Sequence, residues 1–252
     1  MIIRHLTLAQ CAEAVGAVVV IDVLRSFTTA AYAFAAGASE ILPAASVEQA
    51  RLIQTRFPTA LTMGALGGGM PIPSFDFGNS PSGVAGLTLK GDRLIQCTAA
   101  GVRALVQCQH AEILLAASLV CARSTATLLR RLAPSTITLV VTGDWVDRDG
   151  DEDRACADYL EALLHGESPD PAPFIQRVRA SDFGRRFADP AHPALPAADL
   201  DHAAVADRFE FAMPVTRIDD LLVIRPMAVQ PPASNDHEPI AHDRTAGANH
   251  PV

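Results

Sequence analysis

DWVDRDGDEDRAC, residues 144–156, follows the apolar run Ile137 to Val141 and leads into a helix-like stretch, Asp153 to His165. A strand-like run that gives way to a helical period is the repeating unit of an α/β sheet. In such sheets ligands bind in the crevice beyond the strand ends, so the carboxylates fall where a divalent cation can be held. A second carboxylate, Asp22, ends another apolar run, Ala17 to Ile21, and is followed at once by Arg25, Ser26, Thr28 and Thr29, donors suited to an anion. Metal and anion together point to phosphate chemistry.

The same change of period recurs along the chain. Strands are expected at Ala17 to Ile21, Glu40 to Pro43, Leu61 to Gly64, Arg93 to Gln96, Glu112 to Ala116 and Ile137 to Val141. Helices are expected at Thr28 to Ala36, Val47 to Arg56, Ala100 to Gln107, Ala122 to Ala133 and Asp153 to His165, with Ser46 as the N-cap of the second. The fold class is therefore α/β, three layers (α/β/α) with a largely mixed sheet, forming one domain over residues 1–229. Two stretches break the rhythm. Gly64 to Ser82, with its glycine triplet and prolines, is too long and irregular for a plain connector and reads as a functional loop. Gly166 to Ala198 is proline-rich, with one helical patch at Phe174 to Arg179, and reads as a variable excursion. Residues 230–252 have almost no large apolar side chains and are expected to form a disordered tail.

Composition narrows the partners. A net charge of −8 argues against a general nucleic-acid binder, whose footprint would be basic. An anionic substrate then needs local help from arginines, helix N-termini or a bound cation. The five cysteines have neither a CxxC pair nor zinc-ligand spacing, which fits free thiols in a reducing cytoplasm. The N-terminus lacks a long apolar segment and no apolar stretch is long enough to span a bilayer, so neither export nor a membrane is expected. Self-association into a homo-oligomer is left open.

Four constellations could carry chemistry. Asp22 to Thr29 offers a carboxylate and phosphate donors at a helix start, although Ser26 or Thr28 could equally serve as an N-cap. FDFGNSP, residues 75–81, suits a tight turn with inward backbone donors and contributes Asp76, Asn79 and Ser80. CTAAGVR, residues 97–103, has the Cys and Arg spacing of a cysteine phosphatase, with Cys97 as nucleophile and Arg103 as anion clamp; its bland reading is an anion-cradling loop beside a buried thiol. In the acidic stretch an EF-hand register fails because Trp145 and Cys156 would fall at ligand positions. Asp147, Asp149 and Asp151 read as solvated, and Glu152 and Asp153 at the helix entrance are the better ligands.

VVIDVLRSFTTAAYAFAAGASEILP, SFDFGNSP, TAAGVRAL, AASLVCA and GDEDRACAD, in this order and spacing, resemble the 2-phosphosulfolactate phosphatase family over roughly residues 17–225. The resemblance implies a three-layer α/β/α fold, Mg²⁺ dependence, and hydrolysis of the phosphate ester of a sulfonated lactate in the coenzyme M route. Carried onto this chain, Asp22, Glu152 and Asp153 would bind the metal. Asp22, Arg25, Glu152 and Asp153 would be catalytic, with Ser26, Thr28, Asp76, Asn79, Ser80, Thr98, Gly101, Arg103 and Ser118 binding a small anionic phosphorylated substrate. Arg25 and Arg103 are the two anion clamps of that reading. The chain departs from the family pattern at GALGGG (residues 64–69), where a Glu-Arg pair is expected, at Ala100 and Val102, which replace Asn and Thr, and at Cys121, which replaces Asn. Two rivals remain: a metal-free cysteine phosphatase using Cys97, and a non-catalytic anion-binding member.

Overall fold

Gly16–Ile21 is buried at every position, as expected of a strand covered on both faces. Its side chains alternate between two cores. Ala17, Val19 and Ile21 join Leu115, Ile137 and Leu139 on one face, while Val18 and Val20 join Phe27, Ala30 and Ala31 on the other. Helices therefore lie on both sides of the sheet. The computed structural model describes residues 1–144 and 148–229; Asp147 and the expected tail 230–252 lie outside the described residues.

In chain order the strands are β1 (Ile2–Thr7), β2 (Gly16–Ile21), β3 (Glu40–Pro43), β4 (Leu61–Ala65), β5 (Phe77–Gly78), β6 (Arg93–Thr98), β7 (Ala111–Ala117), β8 (Thr136–Val141), β9 (Phe211–Ile218), β10 (Leu221–Ile224) and β11 (Met227–Ala228). The helices are α1 (Ser26–Ala35), α2 (Val47–Arg56), α3 (Pro81–Val84), α4 (Gly101–Gln107), α5 (Ala122–Leu132), α6 (Asp151–Leu164), α7 (Ala172–Ala180) and α8 (Ala197–Ala203). The sheet order is β1-β8-β2-β7-β9-β10-β3-β6-β4-β5, with β11 beside β9.

Two parallel blocks make up this mixed sheet. β1, β8, β2 and β7 run together, as do β3, β6, β4 and β5. The antiparallel pairings β7–β9, β9–β10 and β10–β3 join the blocks, so they run in opposite directions. On a flat sheet their C-terminal ends would lie on opposite edges. Instead, Ser26, just past β2, donates its hydroxyl to Thr98 at the end of β6 across 2.9 Å. Strand twist of roughly 20–25° per neighbour accumulates over this path, and the sheet curls around α1. That helix is buried from Ser26 through Phe34, and its core takes Val18 and Ala116 from one block and Ile41, Met63 and Leu94 from the other. A helix apolar all round has to be enclosed in this way.

On the outer face, Leu129 of α5 and Tyr159, Leu160 and Leu163 of α6 cover the first block. Ala50 and Ile53 of α2 pack with Leu42 and Ile95 over the second. Ser46 caps α2, its hydroxyl accepting from Gln49 N at 3.1 Å. The strands and helices expected from sequence all form within a few residues of their expected limits.

β1, β5, β9, β10 and β11 escape the sequence reading. β1 is an edge strand with an exposed Ile2, so it lacks a buried periodic face. Pro214 interrupts β9, and a proline inside a run argues against a central strand. The β9–β10 turn uses Asp219 at φ 53° rather than the usual Asn-Gly pair. The excursion at Gly166 to Ala198 is also more ordered than expected, holding α7, a 3-10 turn at Gly184–Ala188 and the start of α8. No helix among the described residues is long and apolar enough to cross a membrane.

Candidate active site

Where the blocks converge, Asp22 follows β2 and caps two helices at once. Its Oδ1 accepts from Ser26 N at 2.9 Å, and its Oδ2 accepts from Ser26 Oγ at 2.6 Å and Gly101 N at 3.0 Å. The first turns of α1 and α4 are thereby tied to one carboxylate. Residue 101 must be glycine for this to happen, since a Cβ there would stand 2.7 Å from Asp22 Oδ2 and 2.9 Å from its Cβ. Thr98 receives the Ser26 hydroxyl and accepts from Val102 N at 3.3 Å. Asp22, Ser26, Thr98 and Ala100 line a cavity of about 160 Å³. That is below the roughly 300–1,000 Å³ of drug-sized pockets and restricts the site to a compact molecule.

Asp153 and Glu152 lie beside this hub and are both about 1% exposed. Asp153 accepts from Val23 N at 2.8 Å through Oδ1 and from Thr142 N at 2.9 Å through Oδ2, so it fastens the ends of β2 and β8 together. Burial, then the neighbouring charges of Glu152 and Asp22, push its pKa well above the usual carboxylate range. Burial likewise raises Glu152 to about 7, against the pull of its own backbone N–H and of the Arg148 charge. Glu152 Oε2 is buried without a hydrogen-bond partner. Gly143 makes room for the other oxygen, which a Cβ there would approach to 2.6 Å.

These three acids fit a cation in part. An orphaned carboxylate oxygen beside like charges is the environment that a cation relieves. Mg²⁺ is usually held by only one or two carboxylates together with waters and substrate phosphate oxygens, which suits Asp22 and Glu152. Asp153, like Asp22, has both oxygens engaged, but it holds the ends of β2 and β8 and does not line the cavity, so its geometry is that of a tether. Among the described residues no group of three or more His, Cys, Asp or Glu side chains is placed to hold a metal ion, so Asp22, Glu152 and Asp153 do not form the three-carboxylate set expected from sequence.

The arginines differ most from the expected arrangement. Arg25 lines the cavity, but its NH1 meets Asp199 Oδ2 at 2.6 Å and Ala194 O at 3.2 Å, and its NH2 donates to Gly69 O at 3.3 Å. The pair is almost fully buried. The other oxygen of Asp199 accepts from Ser80 Oγ, Ser82 N and Ser82 Oγ at 2.6–3.0 Å. Asp199 thus locks Arg25 and the start of α3 to α8. Arg103 is exposed on α4 and does not line the cavity. In its place the cavity receives Arg148, from the acidic stretch, and Arg186, from the excursion, with Phe183 between them.

The remaining expected residues divide between cavity and scaffold. Asn79 lines the cavity, is 8% exposed, and has a side-chain oxygen without a partner. Thr28 and Ser118 share a hydroxyl–hydroxyl bond at 0% exposure, where they anchor α1 beneath the site. Asp76 accepts from Thr62 N and Oγ1, both at 2.7 Å, and so fixes the loop. Ser80 caps α3. Cys97 packs in the outer core with Ile53 and Ile95, and burial pushes its thiol pKa up, so it faces away from the cavity that Thr98 enters. Of the departures from the family pattern, Ala100, Leu66, Gly67 and Gly69 reach the cavity wall, whereas Val102 and Cys121 are core residues that leave the pocket's polarity unchanged.

Sequence reading missed Arg148, Phe183, Arg186 and Asp199. Arg148 stands in a stretch dominated by carboxylates, which masks it in the sequence. FGRRF, residues 183–187, carried a usable signal in its interleaved aromatic and basic side chains.

Comparison with known proteins identifies relatives of this chain. A "Probable 2-phosphosulfolactate phosphatase" of Bacillus subtilis is 30% identical over 198 residues, 78% of this chain and 86% of that protein. One of Carboxydothermus hydrogenoformans is 39% identical over 149 residues, 59% of this chain and 60% of that protein. One of Deinococcus radiodurans is 34% identical over 197 residues, 73% and 81% of the two chains. The family model described as 2-phosphosulpholactate phosphatase matches residues 3–189. It begins in β1, earlier than the motifs suggested, and stops before α8. A match over this much of the chain makes it a member of the 2-phosphosulpholactate phosphatase family.

Proposed function

We propose that the protein is a Mg²⁺-dependent phosphomonoesterase that hydrolyses 2-phosphosulfolactate to sulfolactate and phosphate. The observation that carries this reading is Asp22, a buried carboxylate fixed by two helix starts at the wall of a small cavity that also receives three arginines. Asp22 and Glu152 would hold the cation. When bound, Mg²⁺ supplies Lewis-acid polarisation of the phosphoryl oxygens and offsets their charge.

The protein's own groups do the positioning. The α1 N-terminus and the Ser26 hydroxyl hold Asp22 in one orientation, so its carboxylate needs no reorganisation when the ester arrives. Arg25, braced by Asp199, presents a fixed positive charge to the phosphoryl group. Asn79 lines the same space, and its side-chain oxygen is buried without a partner. Apolar surface from Leu24, Leu66 and Phe183 limits water around the ester. In the reaction, water adds to phosphorus, the bond from phosphorus to the ester oxygen breaks, and that oxygen leaves with a proton as the hydroxyl of sulfolactate.

The cysteine route lacks support, because the Cys97 thiol is raised by burial and belongs to the outer core. Five buried free cysteines fit a reducing cytoplasm, and the family resemblance attaches the product to the coenzyme M route. Phosphate release from 2-phosphosulfolactate, measured with excess chelator and after Mg²⁺ is restored, tests the proposal. Full activity in chelator would overturn the metal assignment. Turnover of none of phosphosulfolactate, phospholactate, phosphoglycolate and phosphoglycerate would leave the fold as an anion-binding protein.

A further inference from the structure

Arg25 reaches the cavity wall with one end of its guanidinium fully engaged. The planar fork of an arginine carries five N–H donors. NH1 gives both of its donors away, to Asp199 Oδ2 at 2.6 Å and Ala194 O at 3.2 Å, and NH2 gives one to Gly69 O at 3.3 Å. The donors left over are on Nε and NH2, the two nitrogens of the fork's side edge. Nε is not among the side-chain atoms sealed in without a partner, so this edge opens on the cavity that Arg25 lines.

The rest of the fork is fixed by packing. Its carbon stands 5.5 Å from the centre of the buried Phe187 ring. A Cβ on residue 69 would stand 2.6 Å from NH2, so the loop comes as close to Arg25 as a glycine permits. Asp199 is itself fully buried on α8 and does not line the cavity. Its Oδ1 accepts from Ser80 Oγ at 2.7 Å and from Ser82 N and Oγ at 3.0 and 2.6 Å. Ser80 directly follows Asn79, which does line the cavity. Desolvation largely offsets the Coulombic attraction of a buried ion pair, so Arg25–Asp199 is weak evidence for a stabilising role. What such a pair supplies is fixed geometry, here for two parts of the wall at once. Asp199 also lies past residues 3–189, the span matched by the family model.

We infer that Asp199 is a positioning residue for phosphate binding: it holds the NH1 end of Arg25 so that the Nε–NH2 edge grips two phosphoryl oxygens side by side, and through Ser80 and Ser82 it sets the turn that carries Asn79. The inference rests on the phosphatase reading and names how that site holds its phosphate. Asp199 touches neither substrate nor reacting atoms and acts through Arg25. Two donors on one planar edge match two oxygens of a tetrahedral anion, a fit that the single ammonium of a lysine cannot reproduce.

The test is a double-mutant cycle of Arg25→Lys and Asp199→Asn, each protein checked for folding by its melting curve. Calorimetry with inorganic phosphate in the presence of Mg²⁺ reads binding without turnover, and kcat/KM for 2-phosphosulfolactate reads its use in catalysis. Arg25→Lys should weaken phosphate binding by at least about tenfold. Asp199→Asn should weaken binding and lower kcat/KM by at least about tenfold when Arg25 is present, and change both by less than about twofold in the Arg25→Lys background. Equal losses in the two backgrounds would make Asp199 a purely structural residue and overturn the inference. So would phosphate binding that Arg25→Lys leaves unchanged, or wild-type protein that binds no phosphate. If Asp199→Asn does not fold, Asp199→Glu, which keeps the charge on a longer arm, takes its place in the cycle with the same expected outcomes. Should the wild type bind phosphate but hydrolyse no ester, the phosphatase reading fails, while the calorimetric cycle still decides the role of Asp199.

Discussion

The two walls of the cavity hold charge in different ways. Around Asp22 the polar atoms are pinned by backbone: Ser26 N, Gly101 N and the ends of β2 and β6 set its position to within a hydrogen bond. Around Phe183 two long cationic side chains rest on a ring, each half-buried and supported by packing. A rigid wall suits the group that must be placed accurately for chemistry, and an adaptable wall suits recognition. The contrast teaches that a carboxylate or an arginine on the first wall should be intolerant of change, and one on the second should alter selectivity first.

The hardest test of the rigid wall is Asp22→Asn. It keeps the size of the side chain but removes the charge that two helix starts are aimed at, so phosphate release should fall by about 10²–10⁴-fold, and stability should fall by about 1–3 kcal/mol without loss of the fold, because one backbone N–H loses its acceptor. Retained activity would dissolve the contrast. Asp199→Ala comes next, since it strands the buried Arg25 charge and releases Ser80 and Ser82. Urea unfolding should show a loss of about 3–5 kcal/mol, with a smaller loss for Asp199→Asn.

Glu152 sharpens the comparison through pH. Burial lifts its folded pKa from 4.5 to about 7, so the native chain keeps a proton that the unfolded chain has lost. The stability this contributes is complete below the unfolded value and is lost as pH rises through about 7. Asp149 and Asp153 oppose ionisation at this point, while Arg148 and Ser181 favour it. Chelated protein should therefore become less stable between about pH 5 and pH 8, on the order of a few kcal/mol by urea titration, and Glu152→Gln should flatten the slope. The smallest effect is expected at Cys97→Ser, outside both walls: activity should stay within about tenfold, roughly 1.4 kcal/mol in the barrier. Complete loss of turnover or a trapped phosphocysteine would reopen the cysteine mechanism.

Sequence by itself determined the alternation of buried strands and helices, the position of Asp22 at a strand end and of Glu152 and Asp153 at a helix entrance, and the family, because these depend on residues adjacent in the chain. The burial pattern that marks β2 is missing from strands without a clean period: β9 carries Pro214, and β1 is an edge with its Ile2 exposed. Tertiary structure alone decided which of the named residues face the cavity. Thr28, Ser118 and Asp76 have donors and acceptors that any loop could have used for a ligand, yet they close on scaffold partners. Arg103 and Arg186 are both arginines near a glycine, but α4 turns the first outward, while the fold of the excursion lays the second beside Phe183. Which way a side chain points depends on a sheet curled around α1, and that curl follows from pairings between β7, β9, β10 and β3, of which β9 and β10 lie far along the chain from β3 and β7, so that no local pattern can join them.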